Sequence, residues 1–204
     1  YNHKGENIMG NRRIGRKRLY ALEKLGQSSE MTEGAGMAGA VGHSKVSRDG
    51  TQITTEIYVD LGTSSGTVAS SGSAGAFIIG LSSSTGTHSA AHFGQVTTAI
   101  NGFVTDAEVL CVEAVAGGEP DIDVVYASSA TLAFDQGTGS ATVLVAAAQD
   151  YADAGDSATG TVSAGAAQSK YLYLANGNAA SDDADYTAGK LVIRLIGYAA
   201  PDDV

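Results

Sequence analysis

Tryptophan is absent from this 204-residue chain, aromatic residues make up only 6%, and a single cysteine, Cys111, is present. One thiol can form neither an intrachain disulfide nor a thiolate metal cluster within the chain. Cys111 sits in the apolar run Val109-Leu110-Cys111-Val112, which predicts a buried, inert structural thiol. With few large aromatics, and with Gly, Ala, Ser and Thr dominating, the core has to be assembled from short aliphatic strands. A core so thin is commonly supplemented by oligomerisation, which buries apolar faces that a monomer exposes. No stretch approaches the ~20 consecutive apolar residues of a membrane span, and the N-terminal arginines are not followed by the apolar segment of a signal peptide. A soluble chain with no membrane contact is expected.

Basic residues are scarce everywhere except at the start. Residues 51–204 carry 3 basic and 17 acidic side chains, net −14, whereas residues 1–50 carry 9 and 5, net +4. This split predicts a basic arm on an acidic body, docking through the arm onto a large acidic surface. A body of roughly 150 residues buries about 68–70% of its unfolded surface, which suffices for one core. The organisation read from sequence is therefore a basic arm and Gly-rich linker over 1–50 and a single β body over 51–204.

Within the arm, Arg12, Arg13, Arg16, Lys17 and Arg18 lead into Leu19, Leu22 and Leu25, which recur near helical spacing before Gly26. The spacing predicts a two-turn helix with a glycine stop. Lys17 and Arg18 oppose the helix dipole, and fewer than ~12 residues seldom hold a helix alone, so it is expected to order against a partner. These eight side chains are the candidate partner-binding residues. Residues 26–50, with Gly34, Gly36, Gly39 and Gly42 and no sustained period, read as linker. An arm of this charge can also grip phosphates. Its aromatics are only Tyr1 and Tyr20, however, and a body at net −14 repels a polyanion, so direct nucleic-acid binding is not expected.

From Gln52 onward short β-rich runs alternate with Gly, Asn and Asp clusters, the pattern of an all-β antiparallel sandwich or barrel. Ile57, Val59 and Leu61 alternate with polar neighbours, and further strands are expected at 75–82, 92–99, 102–115, 121–127, 130–134, 141–148, 158–163, 169–175 and 187–199. Asn101-Gly102 predicts a tight hairpin between 95–100 and 103–115. Asn176-Gly177 ends a strand in the same way, and Asp182-Asp183-Ala184-Asp185 reads as a loop. The last strand, with Leu191, Ile193 and Leu195 opposite Val192, Arg194 and Ile196, is partly apolar on both faces and is expected to be central or at a subunit contact.

Sequence matches to chemical motifs lack their required context. Gly34–Gly39 fits GxGxxG without a preceding strand or following helix, and Gly62–Gly66 fits GxSxG around Ser64 without a strand-to-helix elbow. His88 and His92 lie four apart but lead into a β-rich run. Asp121/Asp123, Asp150/Asp153/Asp156 and Asp182/Asp183/Asp185 cluster hard oxygens without an EF-hand loop. No catalytic residue, metal or cofactor is expected.

The opening Asn11-Arg12-Arg13-Ile14-Gly15-Arg16-Lys17-Arg18-Leu19, the middle Gly94-Gln95-Val96 to Asn101-Gly102 with Cys111-Val112-Glu113, and the closing Ala188-Gly189-Lys190-Leu191-Val192-Ile193-Arg194-Leu195-Ile196-Gly197-Tyr198 resemble small Gly/Ala/Ser/Thr-rich virion proteins of tailed phages. Capsid decoration (cement) proteins and related head-surface proteins are the nearest in style. The resemblance spans most of the chain and rests on no diagnostic motif. It implies a β-sandwich or jelly-roll body, a homotrimer, and a place on the outer capsid surface, with the major capsid protein as partner. The rival expectations are a tail, fibre or neck protein, a carbohydrate-binding sandwich using Tyr171, Tyr173, Tyr186 and Tyr198, and a hydrolase built on Ser64.

Overall fold

A computed structural model of the chain describes residues 30–62, 68–70, 77–82, 90–146, 150–163, 165–177 and 184–199. Period-two patterning becomes strand wherever one face can be buried. In β2 (Gln52–Asp60), Ile53, Thr55, Ile57 and Val59 are buried while Thr54, Glu56, Tyr58 and Asp60 are half-exposed. In β11 (Ala188–Tyr198), Leu191, Ile193 and Leu195 turn inward. β11 hydrogen-bonds to β2 on one side and to β6 (Phe103–Ala116) on the other, setting Ile193 between Ile57 and Val109. With β1 (Val41–Asp49) outside β2 and β9 (Ser157–Thr161) outside β6, the five-stranded sheet runs β1-β2-β11-β6-β9. The expectation of a central last strand holds.

A second, four-stranded sheet runs β5-β10-β7-β8, formed by β5 (Gly94–Gln95), β10 (Tyr171–Asn176), β7 (Ile122–Ala127) and β8 (Thr142–Val145). Val68–Ala69 (β3) and Gly80–Leu81 (β4) make a two-stranded ribbon. Every paired strand is antiparallel. Ile57, Val109 and Ile193 from the first sheet join Val124, Leu172 and Leu174 from the second in one continuous core, so the body is all-β with two antiparallel sheets sharing that core. Cys111 is buried in it at 1% exposure, as the sequence predicts.

The pairing is nested along the chain: β2 with β11, β5 with β10, β6 with β9, and β7 with β8. The sheets approach one another along β8 and β9. There a Cβ added to Gly160 falls 1.8 Å from the Leu144 carbonyl oxygen. β10 is buried from Leu172 through Asn176, hence covered on both faces, whereas the five-stranded sheet alternates and keeps one face open.

Three sequence expectations fail here for physical reasons. Asn101-Gly102 is not a hairpin. Thr98–Asn101 forms a single helical turn (α1), Thr97 Oγ1 accepts the Ile100 amide, and Gly102 closes the turn at φ 66°. Asn101 is 1% exposed and serves as a buried hub, its Oδ1 accepting from the Thr97 amide at 2.9 Å and its Nδ2 donating to Thr55 Oγ1 at 2.9 Å. Tertiary hydrogen bonds thus override a local turn preference. Residues 130–134 form no strand, and the expected 92–99 strand shrinks to β5.

The stretch read as linker is also packed. Met31, Met37 and Ala40 belong to the core, and Val41–Asp49 is β1. The glycines that suggested flexibility instead permit close approach. The Gly34 and Gly36 amides donate to the carbonyls of His92 and Ala90, and a Cβ on Gly34 would lie 2.1 Å from the Ala90 oxygen. The GxGxxG match is therefore a backbone packing device, followed by strand rather than helix.

Two outcomes follow for stability. Gly160→Ala forces β8 and β9 apart and is expected to cost about 1–3 kcal/mol by urea unfolding, while Gly137→Ala, with nothing within 4 Å of the added carbon, stays near wild type. Burial raises the Cys111 thiol and the Tyr151 and Tyr186 phenols above their ordinary values, and pushes Tyr173 up to about 12. Each group is held neutral in the fold and ionises more readily in the unfolded chain. The unfolded chain then binds fewer protons at alkaline pH, and stability falls as pH rises. The melting temperature is expected to drop steadily above about pH 9, and Tyr173→Phe to show a shallower decline.

Candidate interaction surface

The open face of the five-stranded sheet is organised in cross-strand rows. The central row sets Lys45, Glu56, Arg194, Glu108 and Thr159 side by side on β1, β2, β11, β6 and β9. Arg194 donates through Nη1 to Glu108 at 2.9 Å and through Nη2 to Glu56 at 3.3 Å, one guanidinium shared by two carboxylates. The neighbouring row sets His43, Tyr58, Val192 and Leu110 side by side, with the His43 and Tyr58 rings stacked at 4.6 Å. Beyond it, Lys190 pairs with Glu113, and Val112 occupies a register irregularity at 53% exposure. Leu110 is 37% exposed. Phe103 and Tyr198, opposite each other across β6 and β11, form an exposed aromatic pair at the sheet end.

An apolar row thus crosses the sheet with acidic groups on both sides, Glu56 and Glu108 on one and Asp60 and Glu113 on the other. Sequence reading found part of it, since Val192 and Ile196 made the last strand apolar on its second face. It missed the row itself, because Tyr58, Val192 and Leu110 become neighbours only through strand register.

A second feature is a recess of about 440 Å³ lined by Glu30, Glu33, His92, Thr97 and Tyr171 among others. The His92 ring lies 4.8 Å from Tyr171 and edge-on to Tyr173 at 6.0 Å. Burial lowers the imidazole below its ordinary value, with Glu33 acting in the opposite direction.

Arg12, Arg13, Arg16, Lys17, Arg18, Leu19, Leu22 and Leu25, together with the short helix expected there, lie outside the described residues. So do Ser64, His88, Asp182 and Asp183. Asp121, Asp153 and Asp156 take part in local structure. The Asp156 carboxylate accepts the Asp153 amide at 2.9 Å, and Asp121 packs over Gly177, where an added Cβ would meet its Oδ1 at 2.0 Å. Among the described residues no group of three or more His, Cys, Asp or Glu is placed to hold a metal ion. Of the tyrosines considered for sugar stacking, Tyr173 and Tyr186 are buried at 0% and 4% and present no ring face to solvent. Tyr171 lines the recess, and Tyr198 is exposed.

The half-exposed Arg194 pairs are worth little individually. Arg194→Ala is expected to lower stability by about 1 kcal/mol or less, with the loss shrinking further in 0.5 M salt, as measured by urea titration at two ionic strengths.

Comparison with family models, with curated proteins and with solved structures finds no match to this chain.

Proposed function

We propose that this chain is a non-enzymatic structural protein of a virus particle, a capsid decoration (cement) protein that docks on the major capsid protein through its basic N-terminal arm. The observation that carries the reading is the nested strand pairing. Taking β2, β5, β6, β7, β8, β9, β10 and β11 in chain order, first pairs with last, second with seventh, third with sixth and fourth with fifth. That folded-over pairing, split into two four-strand sets with β1 added at one edge, supports the jelly-roll architecture that the resemblance to head-surface proteins implies. Fold alone does not assign function. The second support is the charge split, net +4 over residues 1–50 against −14 beyond.

In this reading Arg12, Arg13, Arg16, Lys17 and Arg18 engage carboxylates on an acidic protein surface, and Leu19, Leu22 and Leu25 fill an apolar groove beside them. Each exposed ion pair contributes under ~1 kcal/mol. Affinity comes from several pairs together, from leucine burial, and from the repetition of sites on a closed shell. A homotrimer is the proposed assembly and the outer capsid surface the proposed location.

Deletion of residues 1–26 removes the arm and leaves Met31, Met37 and all of β1 in place. The truncated chain is expected to keep its circular dichroism spectrum and to lose co-sedimentation with decoration-free capsid shells. Undiminished co-sedimentation sinks the docking role. Counting copies per particle separates a decoration protein, present in hundreds, from a neck or tail protein.

A further inference from the structure

Resting on the reading of the arm as a docking element, we infer that in the free protein, before a shell competes for the arm, the open face of the five-stranded sheet is the seat for segment 11–25 of a second copy of this chain. The face is complementary to that segment in two respects at once. Asp49, Glu56, Asp60, Asp106, Glu108 and Glu113 outnumber Lys45, Lys190 and Arg194 on its outward positions, so it is acidic even after its own ion pairs are formed. Between those carboxylates runs the apolar row of Tyr58, Val192 and Leu110, with Val112 next to it. Segment 11–25 has the converse design: Arg16, Lys17 and Arg18 followed by Leu19, Leu22 and Leu25. Leucines laid along the apolar row bring the basic residues within reach of the flanking acids.

The occupant is a second copy because of where the chain enters the body. The Met31 amide donates to the buried Ser44 hydroxyl at 2.6 Å, and Ser44 lies on the core side of β1. The described chain therefore enters the body on the side of the sheet opposite its open face. A neighbour's arm approaches that face without passing around the β1 edge. Arm of one copy on face of the next is a heterologous contact, which closes into a ring when the rotation permits, as in a trimer.

The test uses the full chain and two variants. Leu110→Lys with Val112→Lys alters the face at exposed positions, and Arg16→Glu with Lys17→Glu and Arg18→Glu reverses the arm. Sedimentation equilibrium is expected to show self-association of the wild-type chain, weakened tenfold or more between 50 and 500 mM salt. Each variant is expected to lose association at least tenfold while keeping its wild-type circular dichroism and urea midpoint. Mixing the two variants should restore association, because the first still has a native arm and the second a native face. A monomeric wild-type chain, association indifferent to both variants, or no recovery on mixing overturns the inference. If arm deletion abolishes shell binding while the face variant associates normally, this inference fails and the docking role stands. If shell binding survives arm deletion but mixing restores association, the docking role fails and the arm-to-face contact stands.

Discussion

β11 is the strand on which the body depends. It is hydrogen-bonded along both edges, to β2 and to β6, and its inward residues Leu191, Ile193 and Leu195 are no more than 1% exposed. Full burial of such a side chain contributes about 1.5–3 kcal/mol relative to exposure. Leu191 lies beside Val59 and Cys111, Ile193 beside Ile57 and Val109, and Leu195 beside Thr55 and Ala107, so the centre of the sheet's inner surface is built from aliphatic and other small side chains with no aromatic among them. The lack of tryptophan is met by register, with many small contacts held in line by strand pairing. Close backbone approaches at Gly34 and Gly160 serve the same end, since a thin core tolerates no gap between its layers.

Much of this was legible in the chain itself, and the parts that were not share a cause. Period-two alternation located β2, β6 and β11 because each buries one face against a single core. Cys111 declared its burial through its apolar neighbours. β1 escaped notice because its inward side is Ser44, Val46 and Arg48, too polar to stand out, and its buried serine is satisfied by the amide of Met31, thirteen residues earlier. Asn101 misled for the opposite reason. Its identity carries a strong local turn preference, yet its hydrogen bonds run to Thr97 and Thr55. Residues that act through distant partners leave no periodic trace.

The same limit applies to the interaction surface. Its members come from β1, β2, β6, β9 and β11, and adjacency among them is created by pairing between residues as far apart as Glu56 and Arg194. A reader of the sequence sees an arm that needs an acidic partner and a last strand with one apolar side too many. Only the assembled sheet puts carboxylates and aliphatic groups into alternating rows and gives those two surplus features a common explanation.

The nested pairing also has a consequence for how the protein comes into being on the ribosome. β2 emerges early, yet its permanent partner β11 is made last, more than a hundred residues afterward. At about 5–20 residues per second this is a wait on the order of ten seconds. During that interval the Ile53, Ile57 and Val59 row has only the β1 hairpin to shield one edge. The early hairpin, closed through Gly50, is therefore the natural guardian of the nascent chain, keeping an aliphatic strand from pairing with a neighbour on the same message until its own last strand arrives.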